Sequence, residues 1–267
     1  LFEFTSVNDA RRAYERGQVD GITCTLVEML HVMENSRRIP QIVAVLDYSD
    51  GADVVLARRS IRDTASLAGH RVALELGSLN TVLLHRALQA AGLSLNDVTM
   101  VPHSLEGVVT TIKSGAIDAA VTFPPFSTEI LSDDSFHVLF SSHEIPGEIV
   151  DVIVMEKEIV ASRSADVSAL VKSHFLARDF AEAHPDIAYP ILASRLKITP
   201  DEFRDSVTNG IRLLSREDQA AYFGPGGILE KTVRLNDQAL RESGQISGPD
   251  RTDDYVATSP PVEYARR

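Results

Sequence analysis

The stretch Arg71 to Gly92, RVALELGSLNTVLLHRALQAAG, decides the fold class. A short apolar run from Val72 to Leu76 gives way to Gly77-Ser78, after which Leu84, Leu88 and Ala91 recur at helical spacing. A strand, a tight turn and a helix start in that order mark an α/β chain. The first-turn amides of such a helix lack intrahelical partners, and the dipole there favours negative charge, so the junction is able to receive an anion. Ser78, Asn80 and Thr81 can cap those amides themselves or share them with a ligand, and the stretch alone leaves both readings open.

Before that stretch, Leu1 to Phe4 reads as a strand end, and Ser6 to Arg16 as a helix stopped by Gly17. Val19 to Thr23 is a short strand, and Thr25-Leu26-Val27-Glu28 fits a capping box that opens a helix to about Asn35. Ile42 to Leu46 is a continuous apolar run of the kind buried parallel strands show. Turn-forming residues from Asp47 to Asp53 break it, and Val54 to Ala57 resumes as a strand.

Beyond the stretch, strands are expected at 98–101, 117–122, 136–140 and 149–155, with helices at 105–114 and 128–131 and a rigid corner at Phe123-Pro124-Pro125-Phe126. From Ser164 the pattern turns helical, at 167–184, at 185–196, after Thr199 with Pro200 in the first turn, and from about Arg216. Past Gly248 the chain becomes polar and Pro-rich, which predicts an extended tail over 251–267.

An internal echo suggests two units of similar build. Gly17-Gln-Val19-Asp20-Gly21 after a helix recurs as Gly115-Ala-Ile117-Asp118-Ala119, each leading to a threonine, Thr23 and Thr122. Asp20 and Asp118 could be imagined as an acid-base pair, but their identical place after a helix stop favours turn bonding.

Composition narrows the function. The 267 residues, 44% hydrophobic and 24% charged, allow one large or two modest α/β lobes with a sizeable core. A net charge of −12 with scattered Lys and Arg argues against a nucleic-acid surface. The single cysteine, Cys24, excludes an internal disulfide and a Cys-based zinc cluster and reads as a small buried hydrophobe. No apolar run approaches the roughly 18 residues needed to span a bilayer. The chain starts inside LFEF at Leu1, which suggests that the natural N-terminus lies upstream and leaves the compartment undetermined.

The usual catalytic constellations are absent: no G-x-S-x-G, H-E-x-x-H, P-loop or G-x-G-x-x-G, and eight dispersed histidines without metal-ligand spacing. No metal, cofactor or catalytic residue is therefore expected. What remains is a set of polar groups in loops after strands, where open α/β sheets bind ligands. Thr25, Asp47, Ser49, Ser78, Asn80, Thr81, the corner at Phe123 and Pro124, and Asp151 all fall there. Hydroxyls and helix-start amides suit sulfonate, carboxylate, nitrate or phosphate, while Asp47 or Asp151 can accept an amino or amidine group. Asp47 and Asp53 read equally well as Asx-turn residues. Asp151, between Val150 and Val152, needs a partner.

The elements DYSDGADVV, GSLNT, AAGL and SGAIDAAVTFPPF, followed by PGEIVDVIVM, resemble the periplasmic solute-binding proteins of the nitrate, sulfonate and taurine transporter group, which includes pyrimidine-precursor binders. The likeness runs from about Asp9 to Tyr222. It implies a two-lobed type II periplasmic binding protein fold, each lobe a mostly parallel sheet flanked by helices, hinged by two crossing strands near Val54 to Arg58 and Val152 to Glu156. The lobes would comprise 1–55 with 153–250, and 56–152. The resemblance implies ligand contacts at Thr25, Ser49, Ser78, Asn80, Thr81 and Pro124, with Asp151 at an acidic position. It implies a monomeric, periplasmic or membrane-anchored extracellular receptor that closes over a small organic anion or zwitterion and hands it to an ABC permease. The family's first strand and helix have no counterpart in this sequence, and in the absence of Trp the available aromatics are Tyr48, Phe123 and Phe126. Alternatives are a pyrimidine-precursor binder, a synthase of the same fold, against which the lone Cys24 argues, and a sensory domain.

Overall fold

A computed structural model of the chain describes residues 1–252 apart from Thr5 and Pro225. In order, the elements are α1 (Val7–Glu15), β1 (Gly21–Thr25), α2 (Leu26–Asn35), β2 (Pro40–Ser49), β3 (Val54–Arg58), β4 (Arg71–Leu74), α3 (Leu79–Ala90), β5 (Thr99–Pro102), α4 (Leu105–Lys113), β6 (Ala119–Thr122), α5 (Phe126–Leu131), β7 (Phe136–Ser141) and β8 (Val150–Glu156). Then come α6 (Lys157–Ser162), α7 (Ser164–Ala183), α8 (Pro185–Leu196), α9 (Pro200–Asn209), β9 (Ile211–Leu213), α10 (Gln219–Tyr222) and α11 (Ile228–Glu242).

The chain divides into two units. One comprises Leu1–Tyr48, Val150–Phe203 and the residues from Arg212 onward; the other comprises Ser49–Ile149 and Arg204–Ile211. The last of these segments, which carries the end of α9, joins the second unit by backbone pairing, because the Asp50 and Ala52 amides both donate to the Gly210 carbonyl.

In the second unit the strands lie in the order β5-β4-β6-β3-β7, with β4 parallel to both β5 and β6. The helices α3 and α4 make the crossovers between these parallel strands, as such pairings require. Val72 and Leu74 on β4 pack with Leu83, Leu84, Ala87 and Leu88 on α3 in one buried cluster. The apolar periodicity of the opening stretch thus records the face of α3 that covers the sheet.

In the first unit the order is β1-β8-β2-β9, with β8 antiparallel to both β1 and β2. β3 is likewise antiparallel to β6 and β7. The sheets are therefore mixed rather than mostly parallel. The physical reason is that β3 and β8 follow directly on a passage from one unit to the other, so no crossover helix aligns them with their neighbours.

The segment Leu1 to Phe4 forms no strand, and Leu1 and Phe2 stand exposed. β9 is an element that the sequence pattern does not reveal, and the helix expected from about Arg216 is two, α10 and α11. The expected tail lies, from residue 253, outside the described residues; at its start Thr252 is buried and accepts a hydrogen bond from Arg234. No helix among the described residues is long and apolar enough to cross a membrane.

Candidate functional site

In the second unit, the helix start that suggested an anion socket is largely self-contained. Ser78 caps α3, its Oγ accepting from the Asn80 amide at 3.2 Å and donating to the Glu75 carbonyl at 2.7 Å. The Thr81 amide donates to the Ser78 carbonyl. Asn80, 3% exposed, donates from Nδ2 to the Val121 carbonyl and so ties α3 to β6. Ser78 and Asn80 are therefore engaged in holding the fold.

Thr81 differs. Its hydroxyl is buried and has no hydrogen-bond partner among the described residues, and the same holds for Thr122 at the end of β6. A buried polar group left unsatisfied costs about 1–3 kcal/mol, and native structures rarely tolerate one without a bound water, ion or ligand. Both threonines sit where α3 begins and β6 ends, joined through the Asn80 to Val121 hydrogen bond. That is the carboxyl end of a parallel strand, the usual ligand position in such sheets. Phe123 and Pro124 follow Thr122 directly and are half-buried, Phe123 meeting Phe126 edge-on at 6.3 Å. Ser49, also in this unit, is buried; its hydroxyl pairs with that of Ser142 at 2.7 Å, while Ser142 accepts from the Gly51 amide. Ser49 braces the loop before β3.

In the first unit, Thr25 caps α2. Its Oγ1 accepts from the Val27 amide and donates to the Glu28 carboxylate, which in turn accepts from the Thr25 amide. The capping box read from the sequence is thus complete, and it holds a carboxylate that is 1% exposed.

Directly across β8 from Thr25 lies Asp151, and on the other side of Asp151, in register, lies Asp47. A register shift between Val45 and Asp47 sets the position of Asp47. Burial pushes the Asp47 carboxyl up to about 6, and the neighbouring Asp151 side chain partly offsets the rise.

Tyr222 on α10 is buried, and its phenol is pushed up to about 12, first by burial and then by Tyr48, Asp218 and Asp47. Cys24, on β1 beside Thr25, is also buried; burial first, then the Glu28 and Asp151 carboxylates, push its thiol up. A thiol in that setting is a poor nucleophile.

Among the described residues, no group of three or more His, Cys, Asp or Glu side chains is arranged to hold a metal ion. Asp118 accepts from the Arg71 amide at 2.9 Å and pairs with the Arg71 guanidinium, so its carboxylate ties the start of β4 to the loop before β6 rather than bonding within its own turn.

The profile of the NMT1-like family matches residues 1–193. The chain belongs to the NMT1-like family. A Brucella abortus (strain 2308) protein with the provisional name of binding protein is 27% identical over 176 residues, covering 62% of this chain and 53% of the relative. This NMT1-like chain therefore spans about half the length of the curated relatives it matches.

Among solved structures, the periplasmic aliphatic sulphonate binding protein SsuA from Escherichia coli superposes with a TM-score of 0.78 at 14% identity, covering 99% of this chain and 84% of that one. The desulfurization enzyme DSZB superposes with a TM-score of 0.61 at 15% identity, covering 90% and 84%. At such identities the likeness is one of fold. That fold carries both a binding protein and an enzyme, so the residues must argue the function.

The sequence alone does not mark Thr122, Tyr222 or Glu28 as site residues. For Thr122 a signal existed, because the internal echo ends on it as it ends on Thr23. For Tyr222 no local pattern places it beside Asp47, 175 positions away in sequence.

Proposed function

We propose that this chain is the solute-binding component of an ABC importer and works outside the cytoplasm as a monomer. It captures a small organic anion or zwitterion and passes it to a membrane permease. The observation that carries this reading is the pair of buried, unpartnered hydroxyls at Thr81 and Thr122. They sit at a strand end and a helix start with Phe123 and Pro124 alongside, and a bound polar solute would satisfy them. The family membership, and the name of the Escherichia coli structural neighbour as a sulphonate binder, support a solute of the sulfonate, taurine or nitrate kind.

The enzyme reading, which the DSZB likeness raises, gains no support from the single thiol of the chain. Cys24 is buried among carboxylates that disfavour its thiolate. The site proposed for the solute comprises Thr81, Thr122, Phe123 and Pro124 of the second unit.

Calorimetry of the full-length protein against taurine, alkanesulfonates, nitrate and pyrimidines is the test. Saturable binding that weakens at least roughly tenfold in Thr81→Val and Thr122→Val is expected, since each loses one hydrogen bond to a charged group. No binding of any member would overturn the proposal.

A further inference from the structure

The chain leaves the first unit after Tyr48 and returns to it at Val150. On the second unit's side of these two passages stand Ser49 and Ile149, and the Ser49 amide donates to the Ile149 carbonyl at 2.9 Å. A displacement of Ile149 is therefore passed to Ser49.

The helix α3 grips the segment that carries Ile149. Ile145 and Ile149 are buried in one cluster with Leu83, Leu84, Ala87 and Leu88 of that helix. Between the two isoleucines a turn closes from the Glu148 amide to the Ile145 carbonyl, with Gly147 at a φ of 76°. Beyond the turn, the Glu148 carboxylate accepts from Arg86 Nε on α3 at 2.9 Å. The two side chains are 14% and 19% exposed, and Arg86 Nη1 also donates to Gln89 on its own helix. An ion pair withdrawn from solvent in this way is screened less than a surface pair, and removing one partner leaves the other poorly solvated. Thr81, with its buried and unpartnered hydroxyl, lies in the first turn of the same helix, about 7.5 Å along the axis from Arg86.

We infer that the Arg86–Glu148 ion pair couples solute binding at the start of α3 to the chain passages at Ser49 and Ile149. Arg86 and Glu148 are positioning residues in this scheme and act through the helix. The inference rests on the reading of the chain as a solute receptor and adds to it a route from the occupied seat to the points where the chain leaves the second unit. Solute bonded to the Thr81 hydroxyl fixes the first turn of α3, the ion pair fixes Glu148 against the helix, and the Ile149 carbonyl carries the constraint to Ser49. The buried cluster alone is apolar and non-directional, so it leaves the helix free to slide by small amounts that a directed ion pair resists.

Amide hydrogen exchange on the full-length protein tests this, with the probe chosen by calorimetry among taurine, ethanesulfonate, nitrate and uracil. In the parent, saturating probe is expected to slow exchange in peptides covering 79–83, 47–54 and 145–152. In Arg86→Gln and in Glu148→Gln the slowing at 79–83 persists, the slowing at 47–54 and 145–152 falls at least roughly threefold, and affinity falls between roughly two- and thirty-fold. The reversed pair, Arg86→Glu with Glu148→Arg, restores the slowing. A merely structural ion pair would speed exchange equally with and without probe and leave the difference between the two states unchanged. With a probe that binds, three results overturn the inference and leave solute capture standing: no slowing at 47–54 and 145–152 in the parent, an unchanged slowing in both single variants, or a reversed pair that keeps its circular dichroism spectrum and fails to restore it. If none of the four probes binds, the solute reading falls and the inference falls with it.

Discussion

The side-chain amide of Gln219 pairs with the backbone of Val45 in both directions. Its Oε1 accepts from the Val45 amide at 2.9 Å, and its Nε2 donates to the Val45 carbonyl at 2.8 Å and to the Ser215 carbonyl at 3.1 Å. One fully buried side chain thus stands in for a strand at the point where the register between β2 and β8 shifts, immediately before Asp47. The same contact anchors α10, and with it Tyr222, against β2. Replacing Gln219 by Leu leaves the Val45 N–H and C=O buried and unpaired. A loss of about 2–4 kcal/mol in unfolding free energy is expected, read from urea denaturation midpoints at unchanged m-value.

Thr25 is held to a structural duty by its reciprocal bonds with Glu28. Thr25→Val removes the N-cap of α2 and the hydroxyl partner of a buried carboxylate. The expected cost exceeds that of an ordinary cap, about 2 kcal/mol or more. A value near zero, measured by thermal unfolding, would show that Glu28 finds another partner.

Thr81→Val and Thr122→Val should behave in the opposite way. Each deletes a buried hydroxyl that the protein itself does not satisfy, at nearly constant volume. In the absence of solute the variants should unfold no more readily than the parent, with up to about 1 kcal/mol of gain, because the desolvation cost disappears. A marked destabilisation in differential scanning calorimetry would place the hydroxyls in the fold's own bonding.

Two buried groups set opposite pH trends. Burial, and then Arg11, lower His31 to about 4, and its ring meets Gln245 at 3.3 Å. Its folded pKa lies below the unfolded one, so its contribution is complete above about pH 6.5 and is lost as pH falls towards 4, amounting to about 3 kcal/mol. Asp47 is raised, so its contribution is complete below about pH 4 and is lost as pH rises through 6. Over the same window the two oppose each other. His31→Gln should flatten the acid-side loss of stability, and Asp47→Asn should remove the decline towards neutral pH. Unfolding free energies measured from pH 4 to 7 distinguish the two slopes.

The sequence by itself determined what is local. The helix starts at Ser6, Thr25 and Ser78 were legible because a cap is a contact between residues two or three apart. The continuous apolar run in β2 and the helical spacing in α3 were legible because burial has a period. The Gly17 and Gly115 helix stops, both at positive φ, were legible because glycine adopts that conformation without strain.

Only the tertiary structure decided the direction of β8, which is antiparallel to both its neighbours although its composition matches a parallel strand. It alone separated Ser78 and Asn80, which hold the fold, from Thr81, which has a hydroxyl to offer. It also brought Asp47, Asp151 and Tyr222 together from three distant parts of the chain. Hydrogen-bond satisfaction is a property of a side chain's surroundings in space, and those surroundings come from residues that no local pattern connects.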